Sequence, residues 1–473
     1  MYNAHWIHSL PYSKFIELTL KFNIMDFLRK SRYCFLFNRG NDFLAYTTAT
    51  NSFYKINSYV AELINSVNVC KNAIKDETSG NELETLHKLK LITTEEEDDN
   101  IVNLLRMKYL ARSYSQDFIS VTLLPTMSCN LKCPYCFEKN KKTCVMSIET
   151  CDKVIDFIKS HSCAKNFSLT WYGGEPMIGK NVIKYILSKI NELEHIKLKL
   201  HGMVTNGTLL SVENLELFRE HPLNYIQITL DGNKSTHDTK RIYANGHGSY
   251  DKIIENLKSF IATYPDTNVS IRVNIDKNNA DEFMTVYENV RELFPEKQNL
   301  YIYPGILKYC GKQSTDTPFM MNKDIVKIKA EFRKRGYPLS FPNIVECGCC
   351  ATSLTSYVIG PEGEIYKCWE DVGEKSLVVG NIIDKKYTNI PLLAKFMMHG
   401  SHILEEDCKE CPLLPVCSND CARNRLDNKF MDSGYDLCSI YKSKDYEELF
   451  NMLYDYYQKY VKSKKIEKCE KCI

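Results

Sequence analysis

Three cysteines, Cys129, Cys133 and Cys136, stand in the run CNLKCPYCF with three and then two residues between them. Thiolates are soft metal ligands, and a 4Fe-4S cluster takes four of them, so three on one short loop leave one iron open to an outside ligand. A zinc knuckle is the alternative, although zinc favours paired CxxC knuckles with four ligands and no fourth ligand lies near this run. A second group runs Cys350, Cys368, Cys408, Cys411, Cys417, Cys421 and Cys438, with Cys347 and Cys349 beside its first member. The N-terminus shows no secretion signal, so the 20 cysteines of this 473-residue chain are expected to be metal-binding thiolates rather than a disulfide framework. Cys34, Cys70, Cys144, Cys151, Cys163 and Cys310 read mostly as small buried hydrophobes or inert thiols. Cys469 and Cys472, in CEKC, read as part of a terminal tail, with a redox pair or a substrate-handling thiol as the alternative.

Such loops need a scaffold. From Phe118 onward, short β-branched or aromatic runs alternate with amphipathic stretches of helical length, the pattern of βα units on a parallel sheet. The six predicted strands are Phe118 to Leu124, Phe167 to Tyr172, Leu198 to Val204, Tyr225 to Leu230, Val269 to Ile275 and Leu300 to Tyr303. In such sheets the chemistry sits where strands end. The cysteine run follows the first strand, and Gly173, Gly174, Glu175 and Pro176 follow the second. Thr205, Asn206 and Gly207 follow the third, and Asp231, Gly232, His237, Asp238 and Arg241 the fourth, while Arg272 and Asn274 lie on the fifth. Taken singly, a Gly-Gly pair is a turn and a strand arginine a solvated charge; the order at successive strand ends is the signal. Glycine suits places where backbone must approach a ligand.

Residues 1–115 read as a separate module. Tyr33 to Phe37 and Phe43 to Thr47 flank an Arg-Gly-Asn-Asp turn, a hairpin with a loop longer than the commonest kind. Val60, Leu63, Ile64 and Val67, then Leu83, Leu86 and Leu89, fall at helical spacing, which together suggests a winged-helix-like unit. The acidic run Glu95 to Asp99 reads as a solvated linker.

On these residues the chain resembles the radical S-adenosylmethionine superfamily, whose motif is Cys-x3-Cys-x2-Cys followed by an aromatic, here Phe137. The resemblance implies an α/β fold with a partial six-stranded (β/α)6 TIM-like barrel over 116–320. It implies a 4Fe-4S cluster on Cys129, Cys133 and Cys136 that binds S-adenosylmethionine, with Gly173, Gly174, Glu175 and Pro176 holding the methionine ammonium. Thr205, Asn206, Asp231 and Asn274 would contact the cofactor or shape its pocket, and Arg241 or Arg272 would partner the methionine carboxylate. The reduced cluster would cleave the sulfonium to a 5′-deoxyadenosyl radical that takes a hydrogen from the substrate.

The second cysteine set, with four residues between Gly363 and Cys368, resembles the SPASM domain, placed at 321–450 ahead of a tail at 451–473. By that resemblance Cys350, Cys368 and Cys421 hold one auxiliary 4Fe-4S cluster, with Cys347 or Cys349 as fourth ligand and Cys349 an alternative to Cys350. Cys408, Cys411, Cys417 and Cys438 hold the other, for three clusters in all. Similarity to thioether-forming maturases of ribosomal (RiPP) peptides makes the N-terminal module a leader-recognition element that adds a strand to a sheet edge. The implied activity is oxidative cross-linking of a precursor peptide. The implied partners are that peptide and an electron donor such as flavodoxin or ferredoxin; an auxiliary cluster would bind the thiol or accept the second electron. The competing family is the anaerobic sulfatase maturases, which form formylglycine and place a carboxylate directly after the Gly-x4-Cys cysteine. Here Trp369 stands there, followed by Glu370 and Asp371, both expected at the solvated surface. A non-radical iron–sulfur redox or binding protein, or an iron–sulfur DNA-binding regulator, are readings from other classes.

Charge excludes some partners. Lys plus Arg number 61 against 59 Asp plus Glu, a formal +2, which offers no footprint for nucleic acid or anionic membrane. No run approaches the length of a spanning helix, and the expected location is the cytoplasm.

Overall fold

The computed structural model describes residues 28–67, 77–136, 143–307, 324–337, 342–345, 348–384, 386–418, 421–442 and 446–458. Phe137, Cys70, Cys310, Cys347, Cys469 and Cys472 lie outside the described residues.

Near the N-terminus Arg29–Lys30 (β1) pairs antiparallel with Ile92–Thr93 (β5), and between them Cys34–Arg39 (β2), Asp42–Thr47 (β3) and Ser52–Ile56 (β4) form an antiparallel meander. The β2–β3 hairpin is tighter than its sequence suggests: Arg39 pairs with Asp42, leaving a two-residue loop whose Gly40 supplies φ of +58°. Strand alternation gives the meander two apolar faces. Cys34 and Ala45 pack with Val60 and Ile64 of helix α1 (Ser58–Ser66) and with Leu83 and Leu86 of α2 (Glu77–Lys88). Phe35, Phe37, Leu44 and Tyr46 face the opposite way, onto Leu449, Met452 and Leu453 of a helix at Glu447–Tyr456.

The acidic run is not a linker. Glu95 to Asp99 is the first turn of α3 (Glu95–Ser113), opened by a capping box between Thr94 and Glu97. Carboxylates are stabilised at the positive end of a helix dipole, a gain that a count of charges does not register. Asp98 is buried and accepts hydrogen bonds from Ser31 Oγ (2.9 Å), the Arg32 amide (2.8 Å) and Thr93 Oγ1 (2.8 Å), which fastens α3 to the β1–β5 ladder.

The predicted βα units are present. Phe118–Leu123 (β6), Asn166–Trp171 (β7), Lys197–Thr205 (β8), Tyr225–Leu230 (β9), Asn268–Ile275 (β10) and Leu300–Ile306 (β11) pair in parallel, each with the next in sequence. The strand face carrying Ile119, Val121, Phe167, Leu169, Ile226 and Ile271 belongs to one core with apolar residues of α4 (Ile148–Lys159), α5 (Lys180–Ile190), α6 (Tyr250–Thr263) and α7 (Phe283–Leu293). The other face is polar: Ser168 bonds Ser120 (2.9 Å), Thr170 bonds Tyr225 (2.5 Å) and Tyr303 bonds Gln227 (2.7 Å). On the far side of β6 the sheet continues with Ser356–Ile359 (β12), parallel to β6, then Glu364–Tyr366 (β13), Gly380–Asn381 (β14) and Lys386–Tyr387 (β15), antiparallel. The C-terminal region thus shares a ten-stranded sheet with the βα units. No helix among the described residues is long and apolar enough to cross a membrane.

Candidate active site

Cys129, Cys133 and Cys136 lie on the loop leaving β6. This loop is held from two sides. On one, Gly173 and Gly174 leave β7 so close to it that a Cβ on Gly173 would sit 2.3 Å from the Thr126 carbonyl oxygen, and one on Gly174 2.5 Å from that of Ser128. These glycines therefore let one loop backbone lie on another. The Glu175 amide then donates to the Ser128 carbonyl at 2.9 Å. The Glu175 carboxylate is fully buried and accepts from Thr205 Oγ1 (2.8 Å), the Asn206 amide (2.8 Å) and the Met177 amide (3.1 Å), joining the ends of β7 and β8. Burial raises its pKa, opposed by those same donors. Asn206 reaches forward, donating to Asn130 Oδ1 at 2.9 Å and toward Cys129 Sγ at 3.8 Å.

On the other side the anchor is Tyr135, which sequence reasoning missed. Its hydroxyl donates to Asp231 and accepts from Arg241 (3.0 Å) and Asn274 (3.4 Å). Asn274 also donates to Asp231 at 3.1 Å, and Arg241 stands 3.9 Å from that carboxylate. The only sequence signal was an aromatic inside the second cysteine gap. Burial raises the Asp231 pKa against the pull of Arg241 and Tyr135. Burial works against a charged Arg241, but Tyr135, Asp231 and Cys133 outweigh it and keep the guanidinium ionised. Arg241 Nε is buried without a hydrogen-bond partner among the described residues, a donor left over beside the cysteine loop. His237 and Asp238 are framework: His237 spans the Asp231 amide and Ser249 Oγ, and Asp238 accepts from the Tyr250 amide. Arg272 bonds Asn274 Oδ1 (2.9 Å) and the Ile306 carbonyl (3.4 Å), so it reaches Arg241's partners only through Asn274. Pro176 is buried and opens a short helical turn.

Burial pushes the Cys129 thiol up to about 11 and raises that of Cys133, a cost that metal coordination would offset by holding the thiolate. The three thiols, an arginine with a spare donor and the polar strand ends suit a 4Fe-4S cluster with a chelated amino acid. Among the described residues no three Cys, His, Asp or Glu side chains converge on a single-ion site.

In the C-terminal region Cys349 hydrogen-bonds Cys350, the Ala422 amide, next to Cys421, bonds Cys349, and Cys349 packs in one apolar cluster with Cys368 and Ala422. Burial raises the Cys408 pKa, and nearby Cys411 and Cys438 add to the rise against Arg425. Cys349 and Cys368 belong to one apolar cluster and Cys408 and Cys411 to another; Cys417 is buried. Asp371 departs from its expected place at the surface: it is buried and paired with Arg423 at 2.9 Å, because the turn after Cys368 packs on the helix after Cys421. Glu370 is exposed, and Trp369 meets Tyr172 edge-on at 5.1 Å. Of the unassigned cysteines, Cys34 and Cys151 are buried and Cys163 is exposed.

Residues 123–290 match the family described as the Radical SAM superfamily. The cysteine-type anaerobic sulfatase-maturating enzyme of Clostridium novyi (strain NT) is 23% identical over 66% of this chain and 89% of its own. The GTP 3',8-cyclase of Clostridium botulinum (strain Okra / Type B1) is 27% identical over 59% of this chain and 91% of its own. Among solved structures, native anSMEcpe with bound AdoMet aligns over 73% of this chain and 98% of its own at 18% identity, TM-score 0.56. SuiB of Streptococcus suis aligns over 87% and 100% at 14% identity, TM-score 0.50. At these identities the structural likeness is one of fold.

Proposed function

Because this chain carries a radical SAM domain, of a family that uses S-adenosylmethionine and a 4Fe-4S cluster, we propose that it is a peptide maturase that oxidatively cross-links a ribosomally made precursor, with a thioether as the expected link. The observation that carries the radical reading is the double clamp on the cysteine loop, Gly173 to Asn206 on one side and Tyr135 with Asp231, Arg241 and Asn274 on the other. In this reading Cys129, Cys133 and Cys136 are cluster ligands. Arg241, whose Nε has no partner among the described residues, is the better placed of the two arginines for the methionine carboxylate. When bound, the cluster and cofactor supply a 5′-deoxyadenosyl radical for hydrogen abstraction. The chain's own part is to fix the loop and to keep water from the charges of Asp231 and Arg241, both buried.

Residues 1–115 are the proposed leader dock. Among the described residues the meander ends in two edge strands, β2 and β4, and a leader added to either would pair with its outer backbone donors and acceptors. Residues 116–320 form the proposed catalytic unit and 321–450 a two-cluster domain, working in the cytoplasm with a flavodoxin or ferredoxin. Sulfatase maturation is the second reading, favoured by the names of the relatives. Against it, the position after Cys368 is Trp369, and Asp371 is locked to Arg423.

The test is intact mass of short peptides encoded beside the gene, after anaerobic coexpression with this chain and with a Cys133→Ala, Cys136→Ala control. Loss of two hydrogens per link, absent in the control, is expected. Unchanged peptides alongside formylglycine in a coexpressed sulfatase would overturn the peptide reading.

A further inference from the structure

Lys367 precedes Cys368 and is 1% exposed. Its ammonium donates to the Ser353 carbonyl (2.5 Å) and the Ser356 carbonyl (2.6 Å). Ser353 closes the turn that Cys350 opens, its amide bonding the Cys350 carbonyl at 3.1 Å. One cation is thus carried on the Cys368 segment and driven into the Cys350 segment. No ion pair joins it to a carboxylate among the described residues; besides the two carbonyls, its ammonium meets the Tyr357 ring, whose centroid is 5.9 Å away. Taking an ammonium out of water is costly, and two carbonyl dipoles and one ring face do not cancel a full charge, so a buried lysine calls for an anion. Neutral thiols supply none. Thiolates bound to an iron–sulfur cluster do.

We propose that Lys367 is the charge partner of an auxiliary cluster at Cys350 and Cys368 and raises that cluster's reduction potential. The proposal rests on the reading above that such a cluster is present. Net charge and local donors set cluster potentials, and reduction adds one negative charge, so a fixed cation in a low-dielectric site favours the reduced form. Lys367 acts through the cluster as a positioning and electrostatic residue. A purely mechanical role, bracing the 353–356 turn, would leave the potential untouched.

The experiment uses the full chain carrying Cys129→Ala, Cys133→Ala and Cys136→Ala, reconstituted with iron and sulfide under argon, so that only auxiliary clusters report. Midpoint potentials are read by electron paramagnetic resonance during redox titration, with iron and sulfide measured in parallel. Lys367→Met, which keeps length and removes charge, is expected to lower one midpoint by about a tenfold change in the reduced-to-oxidised ratio, ~59 mV for one electron, while any other stays in place. Lys367→Arg is expected to stay near the parent. Loss of one cluster's iron in Lys367→Met but not in Lys367→Arg also supports the charge role. Loss in both variants, or full iron content with an unmoved midpoint in Lys367→Met, overturns it. A parent without auxiliary clusters overturns this proposal together with the reading it rests on.

Discussion

Gly174→Ala tests the clamp at its narrowest point. The added Cβ would lie 2.5 Å from the Ser128 carbonyl oxygen, 2.6 Å from that of Met127 and 2.7 Å from the Ser128 carbonyl carbon, and all three are backbone atoms that no rotamer change can move aside. Relief to 3.0 Å, the shortest separation real Cβ atoms adopt, requires a shift of at least ~0.5 Å between the two loops. Gly174 has no positive φ, so the effect is steric rather than conformational. Overpacking of this kind costs about 1–3 kcal/mol. The displaced atoms are within two residues of Cys129, and since a misplacement of about 1 Å costs roughly 100-fold in rate, half of that predicts roughly a tenfold loss. The assay is reductive cleavage of S-adenosylmethionine by anaerobically reconstituted protein, with iron content and thermal unfolding measured on the same samples. A variant with parental melting temperature and a rate within twofold of the parent would refute the argument that backbone contact positions the cysteine loop.

Tyr135→Phe removes the hydroxyl shared by Asp231, Arg241 and Asn274; a lost hydrogen bond to charged groups costs about 1.5–3 kcal/mol, so cofactor cleavage should fall at least tenfold while iron content stays parental, and a rate unchanged from parent would contradict the anchor. Asp98→Ala should destabilise the N-terminal module by about 2–4 kcal/mol, seen as faster proteolysis within residues 28–113, and cofactor cleavage should persist; equal proteolysis would contradict the role given to this carboxylate. His201 accepts from Trp171 Nε1 at 2.7 Å and donates to the His221 carbonyl, and burial lowers its pKa to about 4 from 6.5. Its contribution to stability is present above pH 6.5 and lost as pH falls toward 4, roughly 3 kcal/mol over that span, so urea midpoints should drop between pH 7 and 4.5, and less so in His201→Gln.

The scaffold was legible locally. The strand runs from Phe118 to Leu124 and from Tyr225 to Leu230 are observed to within a residue, since β-branched alternation and flanking helical periodicity act through neighbours in sequence. The same holds for the order in which the cysteine loop, Gly173 to Pro176, Thr205 to Gly207 and Asp231 follow successive strands, which parallel pairing then brings to one end of the sheet. What sequence reading did not supply are partnerships that close across long stretches of chain. Asp98 reads as one more charge in an acidic run until Ser31, Arg32 and Thr93 meet it. Asp371 reads as surface until Arg423 arrives, and Tyr135 as a loop aromatic until Asp231 and Arg241 come within reach. Glu447–Tyr456 covers a sheet some 400 positions earlier in the chain, and β12 extends the parallel sheet beside β6. The physical reason is that periodicity records which face a residue turns inward, while burial and hydrogen-bonding partners depend on which distant segment occupies that face.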